Sequence, residues 1–149
     1  MSRSLLILCL TLLPLSAFAQ CDTGKTVFEC TTKQVKRIQV CDLGPEISYS
    51  FGKVGSPELA VAVPRHKAST SQWHGVGSSI FYSVTIPNEN ATYEVFHSAY
   101  QCSNNPNAGK YSCTAAGVEV QVNQAQVASI ACDLKRPVIM EIEGIDLPR

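Results

Sequence analysis

Beyond residue 20, apolar and polar residues alternate with a period of two along most of the chain, the mark of strands with one face buried and one in water. The first pair is Val27-Phe28-Glu29-Cys30-Thr31-Thr32 and Arg37-Ile38-Gln39-Val40-Cys41. A hairpin turning at residues 33–35 sets Phe28 opposite Val40 and Cys30 opposite Ile38. That register gathers these side chains on one face and sends Cys41 to the other, because side chains change face at every residue. A second hairpin follows, from Ile47-Ser48-Tyr49-Ser50-Phe51 to Glu58-Leu59-Ala60-Val61-Ala62-Val63, around a Gly55-Ser56-Pro57 turn.

Ile80, Tyr82, Val84 and Ile86 then share a strand face, and a turn at residues 87–90 leads into Tyr93-Glu94-Val95-Phe96-His97. Val118, Val120 and Val122 alternate with Glu119 and Gln121, turn at Asn123-Gln124 and return through Gln126-Val127-Ala128-Ser129-Ile130. Residues 138–142 are the last candidate strand. With no helical period after the leader, the pattern predicts an all-β fold, an antiparallel barrel or sandwich of about eight short strands. Residues 65–77 lack any sustained period and are expected to form a long loop.

The first residues follow a different pattern. A basic tip at Arg3, an apolar run from Leu5 to Leu15 and the small residues Ala17 and Ala19 describe a secretory leader, residues 1–19, cleaved before Gln20. The apolar run is too short for the roughly 20 residues a membrane-spanning helix needs. Gln20 before Cys21 argues against a lipid-modified cysteine. The remainder, residues 20–149, has the size of one domain, expected in the periplasm or outside the cell, with no membrane insertion.

Lys and Arg together number 12, as do Asp and Glu, and loss of Arg3 leaves the exported part slightly acidic. Nucleic acid and anionic membranes are therefore poor partners. Cys9 leaves with the leader, and Cys21, Cys30, Cys41, Cys102, Cys113 and Cys132 remain as an even set. In an oxidising compartment such a set reads as disulfides, whose connectivity is not deducible from sequence alone. The polar turn between Cys102 and Cys113 brings its own flanks together, so these two are expected to pair. Cys30 with Cys132 would tie the first strand to a late one, and Cys21 with Cys41 would pin the start of the domain, a pairing reached partly by elimination. No Cys-x-x-Cys pair offers a zinc site, and no cofactor is expected.

Histidines are few: His66, His74 and His97. His97 falls on a strand face with Tyr93 and Val95, where a packed or rim histidine is the ordinary reading. No nucleophile motif or phosphate loop is present, Gly75-Val76-Gly77 reads as a turn, and Glu141, Glu143 and Asp146 read as an exposed acidic tail. Asn90-Ala91-Thr92 fits a glycosylation sequon, which has meaning only in a eukaryotic secretory pathway. The stretch that stands out is residues 65–77, where Arg65, His66, Lys67, Ser69, Ser71, Trp73 and His74 combine cationic, hydroxyl and aromatic groups suited to binding a partner. Trp73 is equally suited to folding back over an open end of the β scaffold.

Phe28-Glu29-Cys30 in the first strand, Trp73-His74-Gly75, and a late Cys132 able to bridge back resemble the small bacterial periplasmic domains that inhibit C-type lysozymes. The resemblance implies an eight-stranded antiparallel barrel whose loops plug the lysozyme cleft, with residues 73–75 near the binding end. The family has Lys-Gly after its Trp, where this chain has His74-Gly75. The expectation is a non-catalytic binding protein of the bacterial envelope whose partner is another protein, such as a cell-wall hydrolase. The alternatives are a structural or adhesive secreted module and a small hydrolase using His97 or His74 with a carboxylate.

Overall fold

The computed structural model describes residue 21, residues 23–102 and residues 112–149; residues 1–19, expected to be a leader, and most of the polar turn between Cys102 and Cys113 lie outside the described residues. The chain runs through β1 (Lys25–Thr31), β2 (Arg37–Asp42), β3 (Glu46–Lys53), β4 (Ser56–Pro64), a single 3-10 turn (Arg65–Lys67) and β5 (Ser69–Ser71). It continues through β6 (Ser79–Asn88), β7 (Ala91–Tyr100), β8 (Cys113–Val122), β9 (Ala125–Ala131) and β10 (Ile139–Met140). Two five-stranded antiparallel sheets result, ordered β10-β1-β2-β3-β4 and β5-β6-β7-β8-β9. They do not close into a barrel, so the arrangement is sandwich-like.

The first hairpin has the expected register, Phe28 opposite Val40 and Cys30 opposite Ile38. A bulge between Thr26 and Phe28 adds something the alternation does not show. An inserted residue resets the face, so Val27 and Phe28 are both fully buried although adjacent. Tight two-residue turns join β6 to β7 and β8 to β9, the second with Asn123 and Gln124 both at positive φ, 51° and 67°. Such turns match the twist of the strands they connect.

Inner faces of both sheets meet in one core that includes Phe28, Ile38, Val40, Tyr49, Val84, Ile86, Val95 and Val118. Tyr49 of β3 and Tyr93 of β7 stack across it at 4.9 Å. Three disulfides staple the fold in the expected pairs, Cys21–Cys41, Cys30–Cys132 and Cys102–Cys113. Cys30–Cys132 closes 102 residues of chain and joins the two sheets where Thr32 and Cys132 also form a backbone bridge. Such a set is characteristic of proteins that fold in an oxidising compartment. Among the described residues no helix is long and apolar enough to cross a membrane.

Two expectations are corrected. Residues 65–77 are not one long loop, since they hold the 3-10 turn and β5, which pairs with β6. β5 has no apolar alternation; the Thr70 hydroxyl donates to the Ser83 carbonyl at 2.7 Å and its amide to the Pro148 carbonyl at 2.8 Å, partners remote in sequence. The acidic tail is not a free tail either. Glu141, Glu143 and Asp146 are exposed, but Ile142 and Leu147 between them are buried in the core, and the Glu141 amide donates to the Val27 carbonyl. The final strand is correspondingly shorter than residues 138–142, only Ile139 and Met140 pairing with β1.

Candidate functional site

The stretch from Arg65 to Gly77 divides into a part used by the fold and a part presented to solvent. Arg65 belongs to the first. Its Nη1 donates to Asp42 Oδ1 at 2.6 Å and to the Gly44 carbonyl at 3.2 Å, and its Nε donates to the Asp146 carbonyl at 2.9 Å. One guanidinium thus ties the β2–β3 connection to the C-terminal segment, using the fixed fork of donors that suits it to several acceptors at once. Burial pushes the Asp42 carboxyl up, but the Arg65 and Gly44 hydrogen bonds and the charges of Arg65 and Lys25 outweigh it and hold the group below its ordinary value.

Gln72 is the second clamp, missed in the sequence because nothing local marks it. Its amide nitrogen donates to Thr70 Oγ1 at 2.8 Å and to the Ile142 carbonyl at 3.0 Å, while its oxygen accepts from the Gly144 amide at 3.0 Å. The C-terminal segment is therefore held from both sides. Nearby, burial and the Glu143 carboxylate raise the Tyr82 hydroxyl above its ordinary value.

Trp73 is the foot of the presented part. Its ring packs against the core and its indole N–H donates to the Val76 carbonyl at 3.1 Å, closing the loop on itself. Gly75 and Gly77 flank Val76 at φ of 82° and 101°, a left-handed conformation that favours glycine. Val76 stands 83% exposed, the most exposed large apolar side chain described, with His74 also in water. An isolated surface apolar residue is ordinary, but one lifted on a self-closed glycine loop is in a position to enter a partner's pocket.

The other expected binding residues are dispersed. His66 and Lys67 are exposed on the 3-10 turn, and His66 shares a shallow depression of about 510 Å³ with Pro45, Arg65 and Asp146. Ser69 and Ser71 are β5 ladder residues opposite Thr85 and Ser83. Arg65 and Trp73 face structural duties, whereas His74 and the unremarked Val76 form the tip. Sequence reading took Gly75-Val76-Gly77 for a turn and so passed over the residue the turn displays.

His97 lies half-buried on β7 opposite Tyr82, its Nδ1 without a hydrogen-bond partner among the described residues. Burial lowers its pKa, favouring the neutral ring. Among the described residues no group of His, Cys, Asp and Glu is placed to hold a metal ion. At the same end of the second sheet, Ser79 pairs with Tyr100 and Tyr100 with Cys113, so the Cys102–Cys113 disulfide stands two strands from where the loop joins β6. Comparison with known family models, curated proteins and solved structures finds no match.

Proposed function

We propose that the chain is exported and works without catalysis as a binding protein of the bacterial envelope, its ligand another protein, first of all a lysozyme-like cell-wall hydrolase. The observation that carries this reading is the loop of residues 73–78, locked at Trp73 and displaying Val76 at its tip. A loop already held in its presented shape loses little conformational freedom on binding, which favours affinity. The near-neutral charge predicts association at ordinary rates and with little salt dependence.

The test is titration of the protein, expressed with its leader and purified after export, against C-type lysozymes and peptidoglycan hydrolases, reading both wall lysis and complex formation. Inhibition with a complex that Val76→Asp abolishes is the expected result. No complex with any enzyme of the panel would remove the reading.

A further inference from the structure

Three turns gather at one end of the first sheet. The β1–β2 turn (residues 32–36) and the β3–β4 turn (residues 54–55) project from the same end, because β1 to β4 are consecutive antiparallel neighbours. Two strand spacings set them roughly 10 Å apart. The Lys36 ammonium spans that gap, 2.8 Å from Glu58 near the start of β4 and 5.3 Å from the centre of the Phe51 ring. The third turn, residues 133–136, is pinned beside the first by the bond from the Asp133 amide to the Thr31 carbonyl at 2.8 Å. It leads on to β10, whose Ile139 pairs with Glu29 of β1.

Each turn displays one aliphatic side chain close to one lysine: Val35 two residues after Lys33, Val54 directly after Lys53, and Leu134 directly before Lys135. Val35 is 58% exposed, Val54 66% and Leu134 45%. All three lysines are exposed and have no carboxylate partner among the described residues. Val35 also sits at φ of 61°, a left-handed conformation that a β-branched residue rarely takes. Glycine or asparagine would hold that turn with less strain, and a side chain so exposed makes few contacts in the fold to offset it.

Glu58 and Asp133, the carboxylates beside these turns, are each already paired, with Lys36 and with Arg136. The three free lysines therefore leave this end cationic. Much of the balancing acid collects at the opposite end, where Asp42 closes β2, Glu46 opens β3, and Glu141, Glu143 and Asp146 lie in the segment held by Arg65 and Gln72. Net charge alone makes an anionic membrane a poor partner, but this distribution turns one end of the molecule toward it.

We propose that this end of the first sheet docks on the surface of an anionic phospholipid bilayer, with Lys33, Lys53 and Lys135 at the phosphates and Val35, Val54 and Leu134 entering the headgroup layer. The contact is peripheral and leaves the chain outside the bilayer core. Polar residues separate the three tips, which do not merge into the single apolar centre that a protein interface is built around. A protein partner would need three matched pockets, whereas a fluid lipid surface accommodates any spacing. The docking end shares no residue with the loop of residues 73–78, so either proposal can fail alone.

Co-sedimentation of the exported protein with vesicles tests the proposal, comparing phosphatidylcholine alone with equal parts of phosphatidylcholine and phosphatidylglycerol. The expected result is binding to the anionic vesicles only, weakened by added salt and not displaced by glycerol phosphate, the soluble headgroup. Lys33→Gln, Lys53→Gln and Lys135→Gln are each expected to weaken it about fivefold. Val54→Ser and Leu134→Ser should each weaken it roughly three- to tenfold. Val35→Asn should weaken binding to a similar degree while the unfolding temperature holds or rises, a pairing that misfolding cannot imitate. Val76→Asp should leave vesicle binding unchanged. No binding to anionic vesicles, equal binding to neutral ones, displacement by glycerol phosphate, or aliphatic-tip variants that bind as well as the parent would each overturn it. The last result together with tight binding of soluble polyglutamate would mark the surface as a site for an acidic protein instead.

Discussion

Two halves of one stretch of chain, residues 65–72, almost all polar, and residues 73–78, built on Trp, Val and glycine, are put to opposite uses. In the first half the chemistry points inward: the Arg65 guanidinium and the Gln72 amide spend their donors on Asp42, Gly44, Asp146, Thr70 and Ile142. In the second half only Trp73 is anchored, while His74 and Val76 face water. A cationic or amide side chain therefore says little about binding until its hydrogen bonds are counted. Exposed apolar atoms on a fixed backbone are the better guide.

Substitutions that separate stability from binding sharpen this contrast. The largest loss is expected from Trp73→Ala, which removes the ring packed on the core and unlocks the loop, at about 3 kcal/mol in urea unfolding. Partner binding should fall with it. Arg65→Ala leaves Asp42 partly buried without its cation and frees the C-terminal segment, for about 2 kcal/mol with little effect on the loop tip. Its pH signature is specific. The Asp42 pKa is lowered on folding, so its contribution to stability is present above the ordinary value of 3.8 and is lost as pH falls through the folded value. Arg65→Ala should shrink that loss in acid-unfolding curves.

Gln72→Ala should cost about 1 kcal/mol, because the amide groups it leaves behind can partly rehydrate. Hydrogen exchange at Gly144 is expected to quicken in this variant. Val76→Asp should change stability by roughly 0.5 kcal/mol or less, as an exposed position does. If Val76→Asp destabilises as much as Arg65→Ala, the tip is structural and the division between the halves fails.

The division explains what the sequence discloses. The β1–β2 register was legible because Phe28, Cys30, Ile38 and Val40 alternate across a short turn, and a one-residue slip would expose all of them. The pairing of Cys102 with Cys113 was legible for the same local reason. β5 was not, since Ser69, Thr70 and Ser71 have no apolar face and are held by Ser83 and Pro148. Two separate sheets rather than a barrel depend on which edges meet, and alternation within strands is silent on that. In the candidate loop Trp73 was visible by residue type, but Val76 becomes notable only through the backbone that raises it.

The disulfides also bear on how the protein is made. Taken in chain order from Cys21, the first cysteine joins the third, the second joins the sixth and the fourth joins the fifth. If the chain is exported as proposed, an oxidase acting on each thiol as it emerges would couple Cys21 to Cys30, which is not a native pair, and would strand Cys41 until Cys102 arrives. Correct maturation then requires a thiolate to attack that first bond and exchange it. Yield of the native protein should accordingly depend on a disulfide isomerase where the chain folds, and reduction with slow reoxidation in a thiol buffer should recover material that rapid oxidation traps.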